Sequence, residues 1–177
     1  DLSGLLLNSS NANGDLYTGT AVVNGISVST TFFVDTTSNT TILYTFNNSG
    51  SFLSAGGDAV SSIPQGTFDY VGTNGFGRRN GTRTETGTFA MTVDFTNGSA
   101  ALSGMTNTTT VAATGISVNS STGAFQSSNV NIRFDGGSPI AGSIYGNFHN
   151  AGATGVSGVY HDNALNPIYA GAIAGHR

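Results

Sequence analysis

The chain has 177 residues, of which 37% are hydrophobic and only 8% charged, with net charge −4, 26 glycines, no cysteine and no lysine. The missing cysteines exclude disulfides, thiolate metal sites, a cysteine nucleophile and a lipid-modified cysteine within these residues. The acidic balance gives no broad basic field for nucleic acid or an anionic membrane. Low charge combined with abundant Phe, Tyr, Val and Ile is not the composition of a charged disordered chain. It is that of an all-β protein with many turns.

In chain order, apolar residues alternate in short runs divided by Gly, Asn and Ser, a strand-and-turn pattern with no amphipathic helix. Residues 1–13 form an N-terminal segment. Within it Leu2, Leu5, Leu6 and Leu7 (DLSGLLLNSS) are a candidate strand-exchange segment, able to add to a neighbouring subunit's edge. Leu16–Val23 and Ile26–Val34 pair across Asn24-Gly25, a turn sequence that tolerates positive φ. Thr41–Phe46 is a third strand. The span 47–65 is expected to be a long polar loop whose Phe52, Leu53 and Ile63 offer an apolar wall. Thr67–Val71 leads into TNGFGRRNGTR (73–83), expected as a hairpin tip carrying Arg78, Arg79 and Arg83.

Beyond the tip, Thr88–Phe95 places Phe89, Met91, Val93 and Phe95 on one face, and Asn97-Gly98 turns it into Ala100–Met105. Val111–Val118, Ala124–Phe134, Ile140–Phe148, Gly155–Tyr160 and Ile168–Ile173 follow. The expected architecture is one domain over 1–177: a single antiparallel up-and-down β-barrel of about eight strands with long Gly/Ser/Asn-rich loops. Closure removes exposed edges; a β-sandwich is the weaker alternative. No apolar run reaches the ~18–20 residues of a membrane helix, so no transmembrane segment is expected. No signal sequence opens the chain, which reads as a mature product whose targeting segment is gone, and the Ser/Thr/Asn-rich composition suggests secretion. N-x-S/T sequons occur at Asn8, Asn39, Asn47, Asn80, Asn97, Asn107 and Asn119, and matter only in a glycosylating host.

Three kinds of chemistry are readable. His149, His161, Tyr145 and Tyr160 are haem or metal candidates, since His is a common ligand and Tyr an occasional haem ligand. With a turn near Gly152, Tyr145 pairs with Val159 and Ser143 with His161. His149 then lies six residues from Ser143, roughly 20 Å at strand rise, so the two histidines cannot share an ion. The bland alternative makes His149 a turn residue, His161 an exposed strand end and His176 a solvated terminal residue. The arginine tip is a candidate anion or partner contact, with Phe76 as an aromatic anchor. Catalysis has little support: Glu85 is the only glutamate, and neither G-x-S-x-G nor H-E-x-x-H occurs.

Three segments resemble the transferrin-binding-protein-B-like β-barrel family of bacterial surface lipoproteins and haemophores. They are TFAMTVDFTNGSAALSG (88–104), GSIYGNFHNAGATGVSGVY (142–160) and AGAIAGHR (170–177). The second is similar to that family's closing G-x-F-Y-G-P-N-A-x-E-x-G-G-x-F signature and the third to its G-x-F-G-A-K-R ending. The turn His149–Thr154 lacks the family's Pro and Glu, and His176-Arg177 stands for Lys-Arg. The match covers 88–177, and the first half only in general pattern. The resemblance implies an eight-stranded barrel with an apolar interior on or released from a bacterial outer surface. It implies no enzyme, and binding of host proteins through variable loops or, in small members, of haem. The family's large members carry a separate handle domain, for which this chain is expected to have no room. A self-associating protein of a surface layer or fibre is the alternative reading.

Overall fold

The computed structural model describes residues 4–12, 14–23, 25–47, 50–79 and 83–177. Thirteen strands carry the fold: β1 (Leu5–Asn11), β2 (Gly14–Val23), β3 (Ile26–Asp35), β4 (Thr40–Asn47), β5 (Gly50–Gly56), β6 (Thr67–Arg78), β7 (Arg83–Asp94), β8 (Ser99–Met105), β9 (Thr109–Val118), β10 (Ala124–Phe134), β11 (Ile140–His149), β12 (Gly155–Asp162) and β13 (Tyr169–His176). A 3₁₀ turn, Ala151–Ala153, sits between β11 and β12. Strands β6–β13 close into an eight-stranded antiparallel barrel, as the period-2 pattern predicts, while β1–β5 form a separate five-stranded sheet.

The barrel is filled rather than hollow. Phe89, Met91, Val93 and Phe95 point inward with Leu102, Val111, Val130, Ile132, Ile144 and Ile173. The outward positions of the same strands carry Thr88, Thr92, Ser99, Ser103, Thr110 and Asn131, all exposed. This is the inverse of a lipid-facing barrel, whose outer band is apolar. No helix among the described residues is long and apolar enough to cross a membrane. The closing hairpin has the register its turn dictates: Tyr145 opposite Val159 and Ser143 opposite His161. Interior glycines make room for rings. A Cβ on Gly171 would strike the ring of Tyr160.

Two expectations are corrected here. Residues 50–56 of the expected 47–65 loop are strand β5, paired along β4, so the true connection is 57–66. The barrel starts only at Thr67, and the strands before it form a second layer where the sequence reading placed barrel strands. Alternation with period 2 marks a half-buried strand but not the sheet it joins, so β2–β4 read like barrel strands. The hairpin about Asn24-Gly25 does form, with Val23 opposite Ile26, although Asn24 lies outside the described residues. Leu2 lies outside them too.

The five-stranded sheet packs on the barrel wall through a seam of small residues. On β13, Ala170, Ala172 and Ala174 alternate with inward Gly171 and Ile173, and against them sit Phe33, Ile42 and Tyr44 with Val159. Tyr44 lies so close over Gly75 that a Cβ there would collide with its ring. Its hydroxyl reaches Thr86 Oγ1 at 2.9 Å, and burial pushes its pKa above the ordinary phenol value. At the seam's edge Asp35 is fully buried. It accepts from Thr37 N (3.0 Å), Ser38 N (2.8 Å) and His176 Nδ1 (2.7 Å). Ser38 and Thr40 hydroxyls donate to Gly175 O at 3.1 and 3.3 Å. His176, expected as a solvated terminal residue, is a latch between sheet and barrel.

Candidate functional site

The two ends of the barrel are finished differently. At one end the 57–66 connection straps across. His149 is buried there. Its Nδ1–H donates to Asp58 O at 3.0 Å, and its Nε2 accepts from Ser157 Oγ at 2.8 Å. That pairing fixes the neutral Nδ1–H tautomer, and burial holds the pKa below the ordinary imidazole value. Val60 and Ile63 pack on the core. Arg177 lies 4.0 Å over the Phe68 ring and donates from Nη2 to Gly152 O at 2.8 Å. This end is closed and its donors are matched.

The other end is ringed by the connections 106–108, 135–139 and 163–168, with Arg79 just past the end of β6. Arg78, the last residue of β6, turns inward there, its guanidinium carbon 5.3 Å from the Phe134 ring and 5.7 Å from the Tyr169 ring. Beneath it Phe76 stacks on both rings, with centroids 6.2 and 6.1 Å away. Two acidic groups of this end are engaged elsewhere, and a third, Asp135, is exposed. Glu85 accepts from Thr108 N at 3.1 Å and Thr108 Oγ1 at 2.6 Å. Asp162, buried, accepts from Ala164 N (3.1 Å), Ile168 N (2.9 Å) and Tyr169 N (2.8 Å). Those three bonds fix the shape of the 163–168 loop and hold out Leu165, which is 98% exposed. Arg79 N donates to Ile168 O at 2.8 Å, tying the hairpin tip to the same loop.

Among the described residues, the buried side-chain polar atoms without a hydrogen-bond partner are Asn74 Nδ2, Arg78 Nε and Thr109 Oγ1. All three lie in the half of the barrel towards this end. Such atoms are rare in folded proteins and cost about 1–3 kcal/mol each.

The predicted site residues are dispersed. Phe76 is buried in the aromatic stack, so it is no surface anchor; the expected tip is largely strand, with Gly75 under the Tyr44 ring. Arg78 ends β6 and Arg79 follows it, at the barrel end opposite the 57–66 strap. The side chain of Arg83 lies outside what is described. Tyr160 is fully buried and its hydroxyl donates to Asn74 Oδ1 at 2.8 Å, which removes it as a haem ligand. His149, with both nitrogens engaged, is no open ligand and no turn residue. His161 donates from Nδ1 to Asp162 O at 2.7 Å and meets exposed Tyr145 edge-on at 6.2 Å, on the outer wall. No group of three metal-ligating side chains occurs among the described residues. The 57–66 strap carries Ile63 into the core, and Phe52 and Leu53 belong to β5, so no apolar wall for a porphyrin forms from that loop; the Phe52 side chain is outside the description. Leu5, Leu6 and Leu7 lie in β1, the sheet's outer edge, with Leu6 and Leu7 exposed. The sequence reading missed Leu165 and Asn74. Leu165 had a signal, one large apolar residue within the polar run HDNALNP; Asn74 had none, since polarity at an inward position is legible only once the register is known.

A closed, side-chain-filled barrel with a second sheet laid on its wall defines the class: a two-layer antiparallel β lobe. The solved structures with this architecture include transferrin-binding protein B. The intact two-lobe Ap-TbpB superposes with TM-score 0.60 over 98% of this chain at 15% identity, the chain covering 41% of it. The isotype 1 protein of serogroup B Neisseria meningitidis gives 0.61 over 90% of this chain at 12% identity, with 35% of that protein covered. A structure described as a surface lipoprotein gives 0.55 at 12% identity, covering 90% of this chain and 80% of that one. This chain therefore spans about two fifths of the first and one third of the second, and at these identities the likeness is one of fold. No protein-family model and no curated protein matches the sequence.

Proposed function

We propose that this chain is a binding lobe of the bacterial cell surface that holds a host protein, transferrin being the first candidate, through the loops at the Arg78 end of the barrel. The observation that carries the reading is that the fold shared with intact Ap-TbpB extends over 98% of the chain, outer sheet as well as barrel. The chemistry of the open end agrees with it. A rigid loop presents one fully exposed leucine beside Arg78 and Arg79, which suits a partner offering an apolar pocket next to acidic groups. Binding rather than catalysis fits the same end, where Glu85 and Asp162 are spent on hydroxyl and backbone donors.

Surface plasmon resonance over immobilised iron-loaded and iron-free transferrin tests this. The expected result is a saturable response, weakened by Leu165→Asp and unaffected by Leu6→Asp. No saturable response to either form overturns the transferrin assignment, and an unchanged response from Leu165→Asp overturns the assignment to this end.

One observation favours a second reading, self-association through β1: an outer edge strand with Leu6 74% exposed. Against it, the register of β1 breaks between Leu7 and Ser9, and bulges of this kind blunt edges against pairing. Size-exclusion of full-length and 1–10-truncated chains separates the two; monomers in both cases exclude strand exchange.

A further inference from the structure

We infer that Arg78 forms the floor of an oxyanion-binding site in the open mouth of the barrel, one that takes a carboxylate or phosphoryl group. The inference is independent of which protein, if any, the lobe holds.

The two barrel ends supply the contrast. Each carries an arginine lying on aromatic rings, Arg177 on Phe68 and Arg78 on Phe134 and Tyr169. Arg177 also donates to Gly152 O, as a purely structural plug would. Arg78 donates to nothing among the described residues: Nε is buried without an acceptor, and neither terminal nitrogen has a carbonyl or carboxylate partner. Of the carboxylates at this end, Glu85 is bonded to Thr106 and Thr108 and Asp162 to the 163–168 backbone, while Asp135 is exposed next to Phe134. A guanidinium presents its donors in a planar fork that matches a carboxylate or phosphate edge. Here the fork is fixed by two rings and left empty of protein acceptors.

The same end holds a second polar residue with an unspent donor. Asn74 is fully buried two positions below Phe76 on the inward file of β6, and its Nδ2 has no acceptor while its Oδ1 is taken by Tyr160. Thr109, level with Phe134 in the ladder, has a buried hydroxyl without a partner. Unmatched polar atoms gather at this mouth, led by two nitrogen donors. Oxygen acceptors from outside, an anion at Arg78 and water deeper in, are the groups that complete it.

The test is an NMR titration of the full ¹⁵N-labelled chain with inorganic phosphate and, separately, sodium acetate, each against sodium chloride at matched ionic strength. The Arg78 Nε–Hε signal and the Tyr169 and Arg79 amides should shift saturably, with those of Arg133 and Arg177 unmoved. Response to both probes assigns the site to oxyanions generally, and response to phosphate alone to phosphoryl groups. Arg78→Met keeps the apolar stem on the rings and should weaken the Tyr169 response by at least roughly tenfold. Should that variant not fold, Arg78→Lys keeps the charge without the fork and should weaken it several-fold. The inference is overturned by no saturable response to either probe, by equal drift of every arginine as in chloride, or by a response that survives the substitution.

Discussion

If the small-residue seam holds the outer sheet to the barrel, Tyr44 is the residue whose loss should show it. Its ring is buried over Gly75 and against the β13 alanines, and its hydroxyl bonds Thr86 on β7. Tyr44→Phe removes only the hydroxyl. Thr86 is exposed and regains water, whereas the buried Thr31, which also bonds this hydroxyl, does not, so the cost should be about 1–2 kcal/mol. Tyr44→Ala removes the ring as well and leaves a cavity between two layers that cannot close without moving a sheet. Buried aromatic-to-alanine changes cost about 3–5 kcal/mol, so about 4 is expected here. Urea denaturation gives both values from shifts in the midpoint, provided the slope is unchanged. Native-state hydrogen exchange adds the location, with β3 and β4 losing protection before β8 and β9. The reasoning is refuted if Tyr44→Ala costs no more than Tyr44→Phe. The sheet would then be held by its latch residues alone, and the glycine–alanine pattern of β6 and β13 would have no packing role.

Other expectations follow from the same contacts. Asp35→Ala strips a buried carboxylate from Ser38, Thr37 and His176 and should cost about 3 kcal/mol in urea denaturation; His176→Ala, at a partly exposed partner, should cost clearly less. His149 is held neutral, with a pKa below its ordinary 6.5, so the unfolded chain takes up a proton there before the folded chain does. Stability should therefore be level above pH 6.5 and fall as the pH drops below it, and His149→Asn should flatten that slope; a slope identical in the variant would contradict the assignment. The phenols of Tyr44, Tyr70 and Tyr160 are all raised, burial being the largest cause. Their contribution is complete below pH 10 and should be lost above it, with phenolate absorbance appearing together with unfolding rather than before it. Gly171→Ala drives a methyl into the Tyr160 ring and should destabilise by about 1–3 kcal/mol, or prevent folding.

How far these features were legible in the sequence differs by element. Inward-facing runs such as Phe89–Phe95 and the 145–159 register could be read because period 2 and turn position fix them. The second sheet could not, because its apolar runs Phe32–Val34 and Ile42–Tyr44 read as short strands without showing which sheet they join. What distinguishes them is the surface they meet, and only the alternation of Ala and Gly in YAGAIAGH hints that one barrel strand is covered on both faces. The site was half legible. Arginines at 78 and 79 mark the open end, but the burial of Phe76 and Tyr160 and the engagement of His149 are long-range facts: Tyr160 meets a residue 86 positions away, and His149 meets one 91 away. Side chains rich in lone pairs looked like ligands because the sequence could not show that their hydrogen bonds were already spent.

The central claim is that the loops of the Arg78 end hold a host protein. Hydrogen exchange of the full chain, alone and mixed with transferrin, reads it most directly. The account predicts slowed exchange confined to the 106–108, 135–139 and 163–168 connections. Unchanged exchange throughout, or slowing confined to β1–β5, would contradict it.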